Sequence, residues 1–187
     1  MNEGDDELLQ RCQEGDEAAL DALVRRYRDR IFRLACRVSG DAALAEEAAA
    51  QALVKVWARC GQWRGQSAAG TWIYRTAVRA ILDVQRSQGR WWRRWARSVP
   101  AATADARPGP DEVAGRREEM QQREERVRVA VQQLPETDRV LVHLYYFENH
   151  SLGEIEAVLG VPKANLKMRL ARARARLRPL LGGTGDV

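Results

Sequence analysis

"SLGEIEAVLGVPKANLKMRLARARARL" occupies Ser151–Leu177, and its second half is nearly free of acidic residues. From Lys163 to Arg178 the chain carries two lysines and five arginines among small and aliphatic residues. Ser151 followed by Glu154 has the spacing of a capping box: the hydroxyl takes a backbone N–H and the carboxylate reaches back to the cap. Leu152, Ile155, Val158 and Leu159 fall on one face of a short helix. Gly160 ends it with a residue that tolerates a left-handed backbone. Pro162 sits near the first turn of the next helix, where its missing N–H costs nothing. Two helices joined by a tight glycine turn make a helix-turn-helix candidate.

At about 100° per residue, Leu166, Leu170, Ala173 and Leu177 share a narrow sector that must face a core. Roughly opposite lie Ala164, Met168, Ala171 and Ala175. Lys163, Lys167 and Arg174 flank them on one side, Asn165 and Arg172 on the other. Small residues let a helix approach a groove closely, and long basic residues at the margins reach phosphates or base edges. A solvated, arginine-rich terminal helix would have a similar composition, but it would not need the capped first helix and the glycine turn.

Working outward, the 187 residues allow one domain or two small ones. Charged residues make up 30% and mean hydropathy is −0.51, which suits a soluble chain, while 45% hydrophobic content suffices for helical cores. Ala, Leu, Arg and Glu dominate, which favours helices throughout. No apolar run is long enough to span a bilayer, and "MNEGDDELLQ" lacks the basic and apolar parts of a signal peptide, so the expected location is the cytoplasm. Cys12, Cys36 and Cys60 are odd in number, form no CxxC pair, and lie far in sequence from His143 and His150. They read as free thiols rather than a disulfide or a metal site. The net charge of +5 is unevenly spread. Residues 1–17 hold seven acids and one arginine, whereas 161–187 hold seven bases and one acid. A polyanion met by the C-terminal end is implied, with nucleic acid the leading candidate.

Helix signals fall in two blocks. Asp5–Glu14 reads as a short helix, and Asp16 caps a longer one that closes at Ser39-Gly40. Asp41 starts a third, ending near Cys60-Gly61, and Ser67 or Thr71 opens a fourth that continues through Val84. "QGRWWRRWARSVPAATADARPGPDE" then reads as a flexible linker. A charged helix from Val113 to Gln133 and another from Glu136 to Phe147 precede the opening stretch. The expected architecture is all-α: two small helical domains, 1–87 and 113–187, joined by a linker over 88–112, the C-terminal one a helix-turn-helix.

"LPETDRVLVHLYYFENHSLGEIEAVLGVPKANLKMRLARARARL" resembles the C-terminal promoter-reading domain of bacterial extracytoplasmic-function sigma factors. Leu134-Pro135-Glu136, Tyr146-Phe147-Glu148, Ser151, Glu154-Ile155 and Leu159-Gly160-Val161-Pro162 stand in register with that pattern. A helix-turn-helix of this kind also occurs in two-component response regulators. The first block is more specific. "DAALAEEAAAQALVKVW" resembles the sigma domain-two helix that docks on the polymerase clamp, and "WRGQSAAGTWIYRTAVR" the adjoining promoter-melting segment. The usual Gln-Glu pair of the clamp-facing helix is Ala50-Gln51 here, which removes a negative charge. A usual Phe is Ala69, a usual Asn is Arg79, and the Ser that commonly follows the recognition-helix lysine is Met168.

The resemblance implies a promoter-specificity subunit without catalytic residues, metal or cofactor. It implies binding to core RNA polymerase (beta-prime clamp and beta flap) and promoter DNA, control by an anti-sigma factor, and no stable membrane insertion. Asp41, Glu46, Glu47, Gln51 and Lys55 would meet the clamp. Gln62, Trp63, Arg64, Gln66, Ser67 and Arg79 would open the minus-ten element. For the minus-thirty-five element, Lys167, Met168, Ala171 and Arg172 are placed for bases, and Ser151, Lys163, Asn165, Arg169 and Arg174 for phosphates. Trp72 at helical spacing with Ile73 and Ala77 is expected in the core. The Trp/Arg cluster at 90–97 stays open between packing or a polymerase contact, DNA, and a membrane surface. A free-standing helix-turn-helix regulator that does not bind polymerase is the rival reading.

Overall fold

Asp16 and Asp41 each begin a helix as the sequence predicts. Asp16 accepts the amides of Ala18 and Ala19 at 2.9 and 3.1 Å, and Asp41 accepts that of Leu44 at 2.8 Å. In the computed structural model, which describes residues 4–95 and 125–181 with side chains over 4–87 and 125–181, these helices belong to an all-helical chain. Its elements are α1 (Asp5–Gln13), α2 (Glu17–Ser39), α3 (Ala42–Ala58) and α4 (Ala69–Trp95), then α5 (125–132), α6 (Glu136–Tyr146), α7 (Leu152–Leu159) and α8 (Lys163–Leu180). A 3-10 turn at Cys60–Gln62 follows α3. No helix among the described residues is long and apolar enough to cross a membrane.

α3 packs against both α2 and α4, and α1 lies across α2 and α4. Ile31, Leu34, Ala35 and Val38 of α2 meet Ala45, Ala48 and Ala52 of α3 and Ile73, Ala77 and Ile81 of α4, all fully buried. The alanines of α3 bring its backbone close to both neighbours, so small side chains build the contact there. In the C-terminal half, Val140, Leu141 and Leu144 of α6 bury against Ile155 and Val158 of α7 and Leu166 and Leu170 of α8. The two cores are continuous, because α6 also packs on α2 and α7 on α4.

Two expectations are corrected. Neither Ser67 nor Thr71 caps α4; Asp6 of α1 accepts the Ala69 amide at 2.6 Å instead. α4 also runs past residue 88 to Trp95, into the segment read as linker. Gly89 lowers helix propensity by about 1 kcal/mol relative to alanine but does not break a helix, and the first proline comes only at Pro100. Residues 96–112 of the linker and 113–124 of the charged helix lie outside the described residues. So do Ala96 and Arg97 of the Trp/Arg cluster. Trp72 is buried as expected, and the three cysteines are free thiols.

Candidate nucleic-acid interface

The helix-turn-helix forms from local signals. Ser151 Oγ accepts the Glu154 amide at 3.3 Å, while Glu154 Oε2 accepts from the Ser151 amide and hydroxyl, both at 2.8 Å. Those bonds hold the Glu154 carboxyl below its ordinary value. Gly160 closes α7 at φ 67°, its N–H donating to the Glu156 carbonyl at 2.8 Å. A Cβ there would meet nothing within 4 Å, so it is the backbone conformation that calls for glycine.

Leu166, Leu170 and Ala173 turn α8 onto α6 and α7. Ala164, Met168, Ala171 and Ala175 face solvent, Met168 at 57% exposure. Lys163, Asn165, Lys167 and Arg172 are exposed around them, and the three basic residues make no ion pair with any described residue. Arg169 and Arg174 are placed differently. Arg169 Nε donates to Asp138 Oδ1 of α6 at 2.6 Å. Arg174 donates to the Tyr146 hydroxyl, its guanidinium 5.8 and 5.5 Å from the Tyr145 and Tyr146 rings. Both lie about 70° from the centre of the core sector, against about 130° for Arg172, so their long side chains reach back to α6. Ser151 is exposed, with its hydroxyl engaged in the capping box.

On α3, Glu46, Glu47 and Gln51 are exposed, Gln51 Nε2 donating to Glu47 Oε1 at 3.1 Å. Asp41 is exposed but uses its carboxylate as the N-cap, and Lys55 Nζ lies 3.9 Å from Asp83 of α4. Val54, 65% exposed, and Trp57 continue the same face. The sequence reading missed both as surface residues, although their spacing from Glu46 and Glu47 puts them in one sector. The face is acidic at its N-terminal end and apolar at its C-terminal end.

The loop before α4 is held from α1: Gln13 Nε2 donates to the carbonyls of Cys60 and Trp63 at 2.9 and 2.8 Å. Gln62, Arg64 and Gln66 project from it, and Arg64 donates to the Gly61 carbonyl at 2.9 Å. Trp63 and Ser67 are half-buried, joined by a 2.9 Å bond from the indole N–H to the Ser67 carbonyl. Arg79 is exposed on α4, apart from this loop in sequence. Tyr74 of α4 is buried.

Tyr74 belongs to a polar cluster that sequence reading did not identify. The Glu148 carboxylate, whose side chain is only 4% exposed, accepts from the Tyr74 hydroxyl at 2.6 Å and from Arg30 Nε at 2.7 Å. His143 Nε2 lies 3.3 Å away, a close approach without the alignment of a full hydrogen bond. Arg37 Nη1 stands 3.1 Å from His143 Nδ1. Arginine only donates, so Nδ1 accepts and the imidazole proton sits on Nε2, facing Glu148. Burial alone would raise the Glu148 pKa; the facing His143 N–H and the bonds from Tyr74 and Arg30 outweigh it and pull the value down to about 2. Burial pushes His143 below its ordinary value, keeping it neutral at neutral pH. Glu148 carried a signal as part of the Tyr-Phe-Glu motif, but its partners Arg30 and Tyr74 lie 118 and 74 residues away.

The comparisons with known proteins agree with this arrangement. Residues 23–98 match the family described as Sigma-70 region 2, and residues 124–177 match Sigma-70, region 4. The chain is 34% identical over 191 residues to the RNA polymerase sigma-H factor of Pseudomonas aeruginosa, covering 96% of each. It is 33% identical over 181 residues to the ECF RNA polymerase sigma factor SigM of Mycobacterium tuberculosis, covering 95% of this chain and 85% of that one. It is 30% identical over 193 residues to the ECF RNA polymerase sigma-E factor of Escherichia coli, covering 95% and 96%. The fold is similar to that of CnrH, solved in complex with the cytosolic domain of CnrY: TM-score 0.70, 18% identity, 98% of this chain and 100% of that one. It is also similar to the sigma factor RpoE of Bartonella quintana, solved with the anti-sigma factor NepR: TM-score 0.67, 19% identity, 86% and 95%. With two sigma regions in order along one chain and relatives matched over nearly their full length, this protein belongs to the extracytoplasmic-function family of RNA polymerase sigma factors.

Proposed function

We propose that this protein directs core RNA polymerase to specific promoters, acting in the cytoplasm under the control of an anti-sigma factor and leaving phosphodiester synthesis to the polymerase. The observation that carries the reading is the outer face of α8: small residues in its middle, unpaired Lys163, Lys167 and Arg172 at its margins, on a helix fixed by the α7 cap and the Gly160 turn. That is the build of a recognition helix for the major groove. Lys167, Met168, Ala171 and Arg172 would read minus-thirty-five bases, with Ser151, Lys163 and Asn165 on phosphates. Arg169 and Arg174 would serve chiefly to seat α8 on α6, given the partners they hold.

In the same reading, residues 1–87 form the clamp-binding and minus-ten domain and 113–187 the minus-thirty-five domain, on either side of 88–112. Glu46, Glu47, Gln51 and Lys55 with Asp41 would contact the clamp, aided by Val54 and Trp57. Gln62, Trp63, Arg64, Gln66, Ser67 and Arg79 would engage the opened minus-ten strand. The RpoE structure, solved with the anti-sigma factor NepR, supports anti-sigma control by analogy. The test is run-off transcription from candidate promoters with purified core polymerase, with and without the protein. Specific initiation only in its presence is expected; absent initiation, together with no co-elution with core enzyme, would sink the reading in favour of a free-standing regulator.

A further inference from the structure

Cys12 lies in the last turn of α1, and Cys60 opens the 3-10 turn after α3. They are 48 residues apart in sequence, and the fold brings them together: the Cys60 thiol points at the Cys12 carbonyl, Sγ to O 3.9 Å. Both line one apolar groove between α1, α2 and α3, walled by Leu9, Leu20, Leu23, Leu53 and Ile73. The groove holds about 20 Å³, room for about one molecule the size of water. Cys12 is buried, at 3% exposure, whereas Cys60 is half-buried. The third thiol, Cys36, does not line the groove; its charged neighbours are Arg37, Glu46 and Arg128.

Two thiols in one groove can do what a lone thiol cannot. The more accessible member reacts first. The Cys60 sulfur attacks one oxygen of a small peroxide, the O–O bond breaks, and a sulfenic acid and water are left. The Cys12 sulfur then attacks the sulfenic sulfur: the S–S bond forms, the S–O bond breaks, and the hydroxyl leaves with the Cys12 proton as water. The peroxide gains two electrons and the thiol pair loses two. Burial raises the Cys12 thiol above its ordinary value, and the neighbouring Cys60 adds to the shift, so Cys12 stays protonated and takes the second step. So narrow a groove suits a peroxide better than a bulky disulfide as oxidant. In a cytoplasmic protein a disulfide of this kind is typically transient and redox-sensing.

We infer that Cys12 and Cys60 form an oxidation site, closed to a disulfide by a small peroxide and reopened by a dithiol reductant. The bond has a structural consequence. Gln13, next to Cys12, already holds the carbonyls of Cys60 and Trp63, and the disulfide adds a covalent tie at the same place. It fixes the start of the loop that carries Gln62 to Ser67, where the Trp63 indole is bonded to the Ser67 carbonyl. A loop held in this way rearranges less readily around an opened strand, so oxidation lowers initiation on duplex DNA. That consequence rests on the promoter reading proposed above; the thiol chemistry does not.

Thiol titration under denaturing conditions, intact mass and peptide mapping without reductant test the site on the full-length protein treated with hydrogen peroxide. The wild type is expected to fall from three titratable thiols to one and to lose two hydrogens in mass. Mapping should find a peptide pair joined through Cys12 and Cys60, and dithiothreitol should reverse all three changes. Cys60→Ser should keep both of its remaining thiols, and Cys12→Ser should stop at a Cys60 sulfenic acid that dimedone traps. Because Cys12 is buried, Cys60→Ser decides alone if circular dichroism shows that Cys12→Ser has lost helix. Cys12 left free in the wild type, a bridge through Cys36, or a bridge between two molecules overturns the site. Run-off transcription from duplex and pre-opened templates reads the consequence. Oxidised wild type is expected to lose initiation severalfold on the duplex alone, and Cys60→Ser should not respond to peroxide. Equal initiation by oxidised and reduced wild type, or a loss shared by both templates, overturns the effect on the loop. If the reduced protein initiates on neither template, the promoter reading fails, and the thiol titration alone decides the oxidation site.

Discussion

Lys167, Arg169 and Arg172 carry the same charge on one helix and meet different surroundings. Lys167→Ala and Arg172→Ala should each cost about 1–3 kcal/mol of promoter discrimination, measured by competition between a cognate and an altered minus-thirty-five sequence. Equal losses on every sequence would make them phosphate contacts instead. Arg169→Ala should leave discrimination intact and lower stability by about 1–3 kcal/mol, because it strands Asp138, whose side chain is 13% exposed. Helical angle alone distinguished Arg172 from the core; it did not reveal Asp138, 31 residues away. His143 makes a different expectation. It faces Glu148 from its own half, Arg37 and Arg33 from α2, and the Phe147 ring; Glu148 in turn faces Arg30 and Tyr74. His143 lies below its ordinary 6.5 through burial first, and His150 does likewise. The folded state thus binds fewer protons than the unfolded one, so this part of its stability is full above that ordinary value and lost as pH falls through it. Glu148, near 2 against an ordinary 4.5, loses its contribution only below the latter, so the histidines dominate first. Chemical denaturation should show the wild type losing stability from about pH 7 to about pH 5.5, with His143→Gln losing less, as the ordinary histidine range requires. A wild type of constant stability over that window would rule this out.

At the scale of elements, local signals set the caps and distant ones set the exceptions. Ser151→Ala breaks the capping box and should cost about 1 kcal/mol in chemical denaturation. Asp6→Ala should cost a similar amount, about 1 kcal/mol, by leaving the start of α4 without its acceptor. A denaturation midpoint unmoved by either change would show that water replaces the cap. The first of these caps was legible in the sequence, because Ser151 and Glu154 are three residues apart. The second was not: 63 residues separate Asp6 from Ala69, and the nearby Ser67 and Thr71 offered a plausible local cap in its place. α3 shows the same division. Its start at Asp41 follows from one side chain, whereas the exposure of Val54 and Trp57 depends on which faces α2 and α4 cover. The outer face of α8 was readable throughout because its core sector is regular and its neighbours come from the adjoining α6 and α7.

At the scale of the whole molecule, the seam between the two halves determines whether the chain behaves as one unit or two. Arg139 is placed to test this. Its Nε donates to the Leu134 carbonyl at 2.8 Å and its Nη2 to the Gln132 carbonyl at 2.6 Å, both in its own half. Its Nη1 crosses to Val38 at the end of α2, next to the Gln132 side chain that reaches Arg37. Gly40, at φ 74°, allows that approach: a Cβ there would stand 2.6 Å from Gln132 Oε1. Bonds from a charged donor contribute about 1.5–3 kcal/mol each. Arg139→Ala therefore weakens the joint between the halves and leaves the buried faces of α2, α3 and α4, and of α6, α7 and α8, untouched. Because one continuous core now joins both halves, calorimetry of the wild type at neutral pH should show a single transition. In Arg139→Ala it should resolve into two, with the transition of the C-terminal half at the lower temperature, since that half loses the bonds to Leu134 and Gln132 as well. One transition in both proteins would mean that the apolar part of the seam couples the halves. Two in the wild type would mean that they already unfold independently.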